Sequence, residues 1–143
     1  MTDPFRLTIP QAIYDAMLGH ARAELPAECC GLLAGRIEGR VGRVTQHLPL
    51  VNALTSPTEY ESDPRSMFAA HKVMRAASTD ILAVYHSHPT SDPVPSRRDR
   101  ERSYDDQVVN LIIGLRRAEA EVRGWWLAAD AAREASWEVE TDR

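Results

Sequence analysis

The sequence predicts an α/β fold with a mixed β-sheet, and three observations indicate this class. Short segments that alternate apolar and polar residues, as half-buried strands do, are interleaved with segments whose apolar residues recur at helical spacing. The run Ile81-Leu82-Ala83-Val84-Tyr85 is almost continuously apolar, so we expect it to form a central strand. Two further strand-like runs are joined by a short turn at residues 38–40, which predicts a hairpin.

The first half of the chain is expected to form a strand, a helix and this hairpin. A strand at residues 5–9 precedes a helix that Pro10 opens and that ends before Pro26. Buried strands at residues 29–37 and 41–50 then form the hairpin. The helix is expected to bury one stripe, which consists of Ile13, Met17, His20 or Ala21, and Glu24 or Leu25.

The second half begins with an irregular segment at residues 52–60. Asp63 is the predicted N-cap of a second helix, and Pro64 suits its first position because the missing N–H costs nothing there. The central strand covers residues 80–86 and is followed by a stiff surface loop at residues 89–95, which holds three prolines. The remaining predicted elements are a charged helix at residues 96–104, strands at 108–115 and 122–129, and an edge strand at 135–139.

Composition narrows the function classes. The chain has 143 residues, so we expect one domain over residues 1–143. Hydrophobic residues make up 43% and charged residues 27%, which is typical of globular proteins. The net charge of −4 disfavours nucleic acid as a partner, and no apolar run approaches the ~18 residues that would cross a membrane. A monomer and a homodimer are both compatible with the sequence.

The N-terminus and the cysteines indicate a cytoplasmic location. The chain opens without the basic region and apolar run of a signal peptide. Cys29 and Cys30 are adjacent, and disulfide geometry disfavours a bridge between neighbours. We expect one of these thiols to pack inward and the other to be half exposed.

The most informative segment begins where the central strand ends. His86 and His88 are two residues apart, so on an extended chain their side chains point to the same face and can converge on one ion. The proline-rich loop can fold back and deliver the carboxylate of Asp99 to them. Two histidines, one aspartate and a water form the tetrahedral arrangement typical of catalytic Zn²⁺. The sequence therefore predicts a zinc site at His86, His88 and Asp99.

The same residues have simpler interpretations. A histidine at a strand end is often a surface residue, and Ser96-x-x-Asp99 also fits a helix capping box. The two roles of Asp99 are compatible, because a carboxylate has several lone pairs. His20 and His71 lie on predicted helices and are expected to be packing or surface groups, and no partner is evident for His47.

The segment resembles a known family signature. His86-Ser87-His88, seven further residues and Ser96-Arg97-Arg98-Asp99 match the pattern His-x-His-x7-Ser-x-x-Asp of JAMM (MPN-plus) metalloproteases without a gap. The stretch from Pro26 to Gly35 also resembles the glutamate-containing segment of prokaryotic members. The resemblance, which covers about residues 7–127, implies a curved mixed sheet flanked by helices, with cytidine-deaminase-like layering. It also implies a catalytic zinc and hydrolysis of peptide or isopeptide bonds.

Residue roles follow from this resemblance. His86, His88 and Asp99 correspond to the zinc ligands, and Glu28 to the general acid/base that takes a proton from the hydrolytic water. Ser96 corresponds to the donor that stabilises the oxyanion. Three other acidic residues compete with Glu28 for the role of base: Glu24, Glu59 and Glu61. Glu28 is favoured because it begins the strand after the first helix.

The leading hypothesis is a zinc peptidase or isopeptidase that cleaves after a C-terminal Gly-Gly of a ubiquitin-like or sulfur-carrier protein. A peptidase with another substrate and a metal-binding scaffold without turnover are the alternatives. The RadC family has a similar loop, but Asp92 stands where its pattern has glycine, and the acidic net charge disfavours a DNA role. The loop at residues 89–95 and the strand that ends at His86 are expected to frame the substrate groove, with residues 52–60 as its opposite wall.

Overall fold

A computed structural model describes residues 3–103 and 105–141. Within these residues the chain forms, in order, β1 (Arg6–Pro10), α1 (Gln11–Ala23), β2 (Cys30–Glu38), β3 (Val41–Leu50), α2 (Pro64–Ala77), β4 (Asp80–His88), α3 (Arg97–Arg102), β5 (Val109–Gly114), β6 (Glu121–Ala128), β7 (Ala131–Glu134) and β8 (Trp137–Glu140). The predicted helix at residues 96–104 includes position 104, which lies outside the described residues.

The strands form one mixed sheet of eight, in the order β7-β6-β5-β4-β2-β3-β1-β8. The predicted β2–β3 hairpin is antiparallel, whereas β4 pairs with β5 and β1 pairs with β3 in parallel. The apolar strand β4 lies between β2 and β5, as its sequence predicts. The expected α/β fold with a curved mixed sheet is confirmed.

Apolar residues on both faces of the sheet hold the two long helices. Neighbouring residues of β2 point to opposite faces, so Leu33 packs with Met17 of α1 while Leu32 packs with Met74 of α2. In β4, Tyr85 belongs to the α1 face and Val84 to the α2 face. His86 and His88 alternate in step with Val84, so they emerge on the face that α2 covers.

The ends of the helices test the predicted caps. The Oδ1 atom of Asp63 accepts a hydrogen bond of 2.7 Å from the N–H of Arg65, and Pro64 is the first residue of α2, as predicted. Pro10 caps α1 rather than opening it, and α1 ends at Ala23. Among the described residues, no helix is both long and apolar enough to cross a lipid bilayer.

Three expectations about burial are wrong. Leu25 lies beyond the end of α1 and is 45% exposed, so it does not extend the buried stripe. Ile37 is 54% exposed, and the last three residues of β2 are all exposed. Cys29 and Cys30 are both buried, since each faces one of the two apolar clusters. Strand β7 was not predicted, because its four residues are exposed and carry no alternating pattern.

Strand β2 carries an irregularity that depends on a glycine. The pairing register shifts between Leu33 and Ala34 against β4 and between Ala34 and Gly35 against β3. A Cβ atom at Gly35 would overlap the carbonyl oxygen of Arg43. The strand therefore approaches its neighbour too closely for any other residue at this position.

We predict that Gly35→Ala lowers the free energy of unfolding by about 1–3 kcal/mol, because the overlap with β3 forces the backbone apart. Gly19→Ala is the matched control, since a Cβ there meets no atom within 4 Å. That change should stabilise α1 by about 1 kcal/mol. Urea unfolding of the two variants measures both effects, and equal stability of Gly35→Ala and wild type would contradict the prediction.

Candidate active site

Strand β4 positions the two histidines of the site. It continues two residues past the predicted end, so His86 and His88 are both extended, and their ring Nε2 atoms lie 3.2 Å apart. His86 is paired with Cys30 of β2 on one side and with Ile112 of β5 on the other. Both imidazoles are buried, and His86 is only 1% exposed. The backbone of His86 is therefore held by both neighbouring strands, and that of His88 by β5, where it pairs with Gly114.

The predicted capping box brings the carboxylate to them. The Oγ atom of Ser96 accepts a hydrogen bond of 3.1 Å from the N–H of Asp99, and Asp99 Oδ2 accepts one of 2.9 Å from the N–H of Ser96. Asp99 Oδ1 then lies 3.2 Å from His86 Nε2, and Oδ2 lies 3.2 Å from His88 Nε2. A local helix-start motif thus places the third polar group beside the histidine pair.

The hydrogen-bonding groups of this cluster are suited to hold a cation. The Nδ1 atom of His88 lies 2.9 Å from the carbonyl oxygen of Asp92, which accepts only, so Nδ1 carries the ring proton. When His88 is neutral, its Nε2 atom presents a lone pair toward the carboxylate of Asp99, and when His88 is protonated, Nε2 donates a hydrogen bond to that carboxylate. A metal cation can therefore take the place of this proton between the ring and the carboxylate.

The spacing of the cluster also fits a metal ion. Zinc binds imidazole nitrogen and carboxylate oxygen at about 2.0–2.2 Å, so neighbouring ligand atoms of a tetrahedral site are roughly 3.3 Å apart. The separations of 3.2 Å among the three residues agree with this value. No other group of three His, Cys, Asp or Glu side chains in the described part of the chain has such convergent ligand atoms.

Contacts within the cluster shift the pKa values of Asp99 and His88. Burial acts to raise the pKa of Asp99, but the hydrogen bonds with His86 and His88 outweigh it and hold the pKa well below its usual range. Burial acts to lower the pKa of His88, and the hydrogen bond with Asp99 outweighs it and raises the pKa. The carboxylate is therefore ionised at neutral pH and available as a ligand.

Glu28 lies beside this cluster, just before β2. The residue is 5% exposed, and burial raises the pKa of its carboxyl to about 7, with the nearby charge of His88 opposing the rise. A carboxyl group with this pKa exchanges a proton readily at neutral pH, as a general acid/base must. Of the three competing residues, Glu24 is exposed and Glu59 pairs with the side chain of Arg98.

A cavity of about 120 Å³ joins these groups. Its lining includes Glu28, His88, Ser96 and Asp99. Because the Oγ atom of Ser96 uses a lone pair in the capping box, its hydroxyl proton is free to point toward a ligand. The structure thus brings all five residues predicted from the sequence to one place, since His86 contacts both His88 and Asp99.

The cavity has the two walls expected from the sequence. Residues 57–60 form one wall, and Thr90 and Ser91 of the proline-rich loop contribute to the other. Two arginines of α3 hold the first wall: Arg98 forms an ion pair with Glu59, and Arg102 donates a hydrogen bond of 2.8 Å to the carbonyl of Tyr60. The helix that carries Asp99 therefore also fixes the wall opposite the proline-rich loop.

The other histidines and the cysteines have no place in this cavity. His20 Nδ1 and His47 Nε2 each lie 2.7 Å from the hydroxyl of Tyr85, so His47 has a partner that its sequence position did not reveal. Burial lowers the pKa of both imidazoles. Cys29 and Cys30 are free thiols, and burial raises their pKa values to about 11 and about 12. Neither cysteine is a reactive thiolate at neutral pH.

Three residues that contact the site were not identified from the sequence. The ring of Tyr60 stacks on His86, with centroids 4.8 Å apart and planes at 25°. The Oγ atom of Ser87 accepts a hydrogen bond of 2.8 Å from the N–H of Cys29, and Asn52 bonds the carbonyl of Glu28. Only Ser87 had a signal, its position between the two histidines, because the other contacts form across distant parts of the chain.

Comparison with known proteins identifies the family. Residues 10–128 match the family described as prokaryotic homologs of the JAB domain. This match covers most of the chain, so the protein belongs to that family, and the predicted membership in the JAMM (MPN-plus) group is confirmed.

Individual relatives agree with this assignment. The chain is 41% identical to a desampylase of Haloferax volcanii over 75% of its own length and 79% of the relative. It is 34% identical to a CysO-cysteine peptidase of Mycobacterium tuberculosis, over 77% and 74% of the two chains. A solution structure from Desulfitobacterium hafniense superposes with a TM-score of 0.86 at 32% identity and covers 95% and 94% of the two chains. The protein is a JAMM-type hydrolase, as its sequence predicts.

We predict that Ser87→Ala lowers the free energy of unfolding by about 1–3 kcal/mol, because the buried N–H of Cys29 loses its acceptor. Ser136→Ala is the control: that side chain is exposed, and its loss should change stability by less than about 0.5 kcal/mol. Chemical denaturation measures both variants. Similar unfolding midpoints for both would show that the hydrogen bond contributes nothing.

Proposed function

We propose that the protein is a zinc-dependent peptidase or isopeptidase that uses His86, His88 and Asp99 to hold the metal. The observation that carries the proposal is the convergence of two imidazoles and a carboxylate at one end of a cavity that Glu28 and Ser96 also line. A zinc ion held there supplies Lewis acidity, polarising the scissile carbonyl and lowering the pKa of water in the site.

Glu28 serves as general acid/base in this proposal. Its carboxylate accepts a proton from the attacking water and then donates it to the departing amine, so that no free hydroxide or amide anion forms. Burial in the cavity wall supports the role, because it brings the pKa of the carboxyl to about 7. A pKa close to the working pH suits a group that must both accept and return a proton.

Ser96 stabilises the oxyanion. As the scissile carbonyl carbon becomes tetrahedral, negative charge develops on its oxygen, and a fixed hydroxyl donor lowers the energy of that state. The capping box fixes the position of the Ser96 hydroxyl without using its proton. The same motif therefore orients a metal ligand and an oxyanion donor.

The substrate class is a conjugate of a ubiquitin-like or sulfur-carrier protein. Support comes from relatives named desampylase and CysO-cysteine peptidase, which cover three quarters or more of this chain. The bond cleaved follows a C-terminal Gly-Gly. Glycine suits a narrow cavity between two stiff walls because the backbone approaches the reacting groups without a Cβ.

We expect the purified protein to bind about one Zn²⁺ per chain, and His88→Ala to lose it, because two remaining ligands hold zinc weakly. His71→Ala is the matched control, since His71 is exposed on α2 and should leave the zinc content unchanged. Elemental analysis after zinc repletion and gel filtration measures all three proteins. A wild-type protein without zinc would refute the metal site.

Glu28→Gln should keep both zinc and fold while its turnover falls by ~10²–10⁴, the usual effect of losing a general acid/base. Glu24→Gln, at an exposed position, should retain full turnover. Steady-state rates are compared at equal zinc content. Full activity of Glu28→Gln would transfer the role of base to Glu59 or Glu61, and a wild-type protein without any turnover would indicate a metal-binding scaffold.

A sulfur-carrier protein with one amino acid added after its C-terminal Gly-Gly should be cleaved rapidly. The same protein with Val-Val in place of Gly-Gly should be cleaved much more slowly. The reason is the Cβ atoms, which collide with the cavity walls in the valine form. Ala-Ala should give an intermediate rate. Mass spectrometry of the products, with a chelator as control, measures release. Equal cleavage of all three would indicate a general peptidase.

A further inference from the structure

The side chain of Asn52 uses its full hydrogen-bonding capacity next to the site. Its Nδ2 atom donates to the carbonyl of Glu28 at 3.0 Å and to that of Glu59 at 3.1 Å. Its Oδ1 atom accepts from the N–H of Leu54 at 3.0 Å and of Glu61 at 3.1 Å. Asn52 is 9% exposed, so each of these bonds replaces contact with water.

Glu28 depends on this segment because it precedes the sheet. Strand β2 begins at Cys30, so neither main-chain group of Glu28 belongs to the strand ladder. The N–H of Glu28 donates to the carbonyl of Ser56 at 2.7 Å, and its carbonyl accepts from Asn52. Both polar main-chain groups of the acid/base are therefore held by the irregular segment at residues 52–61.

The next residue is tied to the metal-binding strand. The N–H of Cys29 donates to Ser87 Oγ, and the carbonyl of Cys29 accepts a bond of 3.2 Å from the N–H of Ser87. Ser87 lies between His86 and His88. Residues 28 and 29 thus connect the ligand-bearing strand on one side with the segment organised by Asn52 on the other.

We infer that Asn52 is a positioning residue for the reaction: it fixes the backbone of Glu28, and hence its carboxylate, relative to His86 and His88. The inference rests on the proposed role of Glu28 as acid/base. Only an amide of this length offers two donors and two acceptors at once. Aspartate retains the two acceptors but directs a negative charge at the carbonyls of Glu28 and Glu59.

Asn52→Asp separates the hydrogen bonds that the side chain donates from those that it accepts. The amides of Leu54 and Glu61 keep an acceptor, whereas the carbonyl of Glu28 loses its donor. In the metal-free protein we expect faster hydrogen exchange of the Glu28 amide, with exchange at Leu54 and Glu61 little changed. Unchanged exchange at Glu28 would overturn the inference. Asn52→Ser, which removes the amide without adding charge, is used if Asn52→Asp does not fold, and the same acceleration at Glu28 is expected.

Ser66→Ala is the matched control for loosening of the segment. Ser66 Oγ accepts from the N–H of Val51 at 3.1 Å and donates to the carbonyl of Asp63, but it makes no hydrogen bond to Glu28 among the described residues. We expect this variant to leave exchange of the Glu28 amide unchanged. An equal acceleration in Ser66→Ala would show that Asn52 acts only on the general stability of the segment.

A double-mutant cycle tests whether Asn52 affects the reaction through Glu28. With wild-type zinc content, Asn52→Asp should reduce kcat roughly 10–100-fold and change KM less than about threefold, because a displaced acid/base affects the chemical step. In the Glu28→Gln background the same change should cost less than about threefold, since the group that it positions is already absent. Equal losses in both backgrounds would overturn the inference on Asn52. Wild-type turnover in Glu28→Gln alone would instead overturn the acid/base assignment.

Discussion

The site depends on holding two imidazoles and a carboxylate together, with 3.2 Å between the facing nitrogen and oxygen atoms. Ordering and burying these polar groups costs free energy, so each group needs an anchor in the fold. The anchor of His86 and His88 is strand β4, which is paired with β2 on one side and with β5 on the other. The anchor of Asp99 is the capping box that it forms with Ser96. The fold thus holds the residues of the site in an arrangement that they would not adopt on a flexible chain.

Burial of these groups affects the rest of the architecture. A carboxyl at the position of Glu28 costs free energy when it ionises without water, and this cost raises its pKa. The main-chain groups around Glu28 add no further cost, because Ser56, Asn52 and Ser87 satisfy them. The apolar clusters on the two faces of the sheet supply the stability that such a site requires.

Local rules explain what the sequence could predict. The spacing of His86 and His88 on an extended chain implies a shared face, and Ser96-x-x-Asp99 defines its own hydrogen bonds, so neither feature requires knowledge of distant residues. The role of Glu28 required the family resemblance, because four acidic residues were available. Strand β7 was missed because an exposed edge strand has no apolar alternation. Asn52 and Tyr60 were missed because their contacts join residues far apart in the chain.

The irregular segment at residues 52–61 has more order than its sequence indicates. Few of its backbone groups can join the sheet, yet those near the site are paired, mainly through the buried amide of Asn52 and through Arg102 of α3. Arg98 of α3 adds an ion pair with the side chain of Glu59. Because Arg98 and Arg102 flank Asp99, the helix that supplies the third polar group also holds the cavity wall. A change in that wall therefore reaches Asp99 through α3 and Glu28 through Asn52.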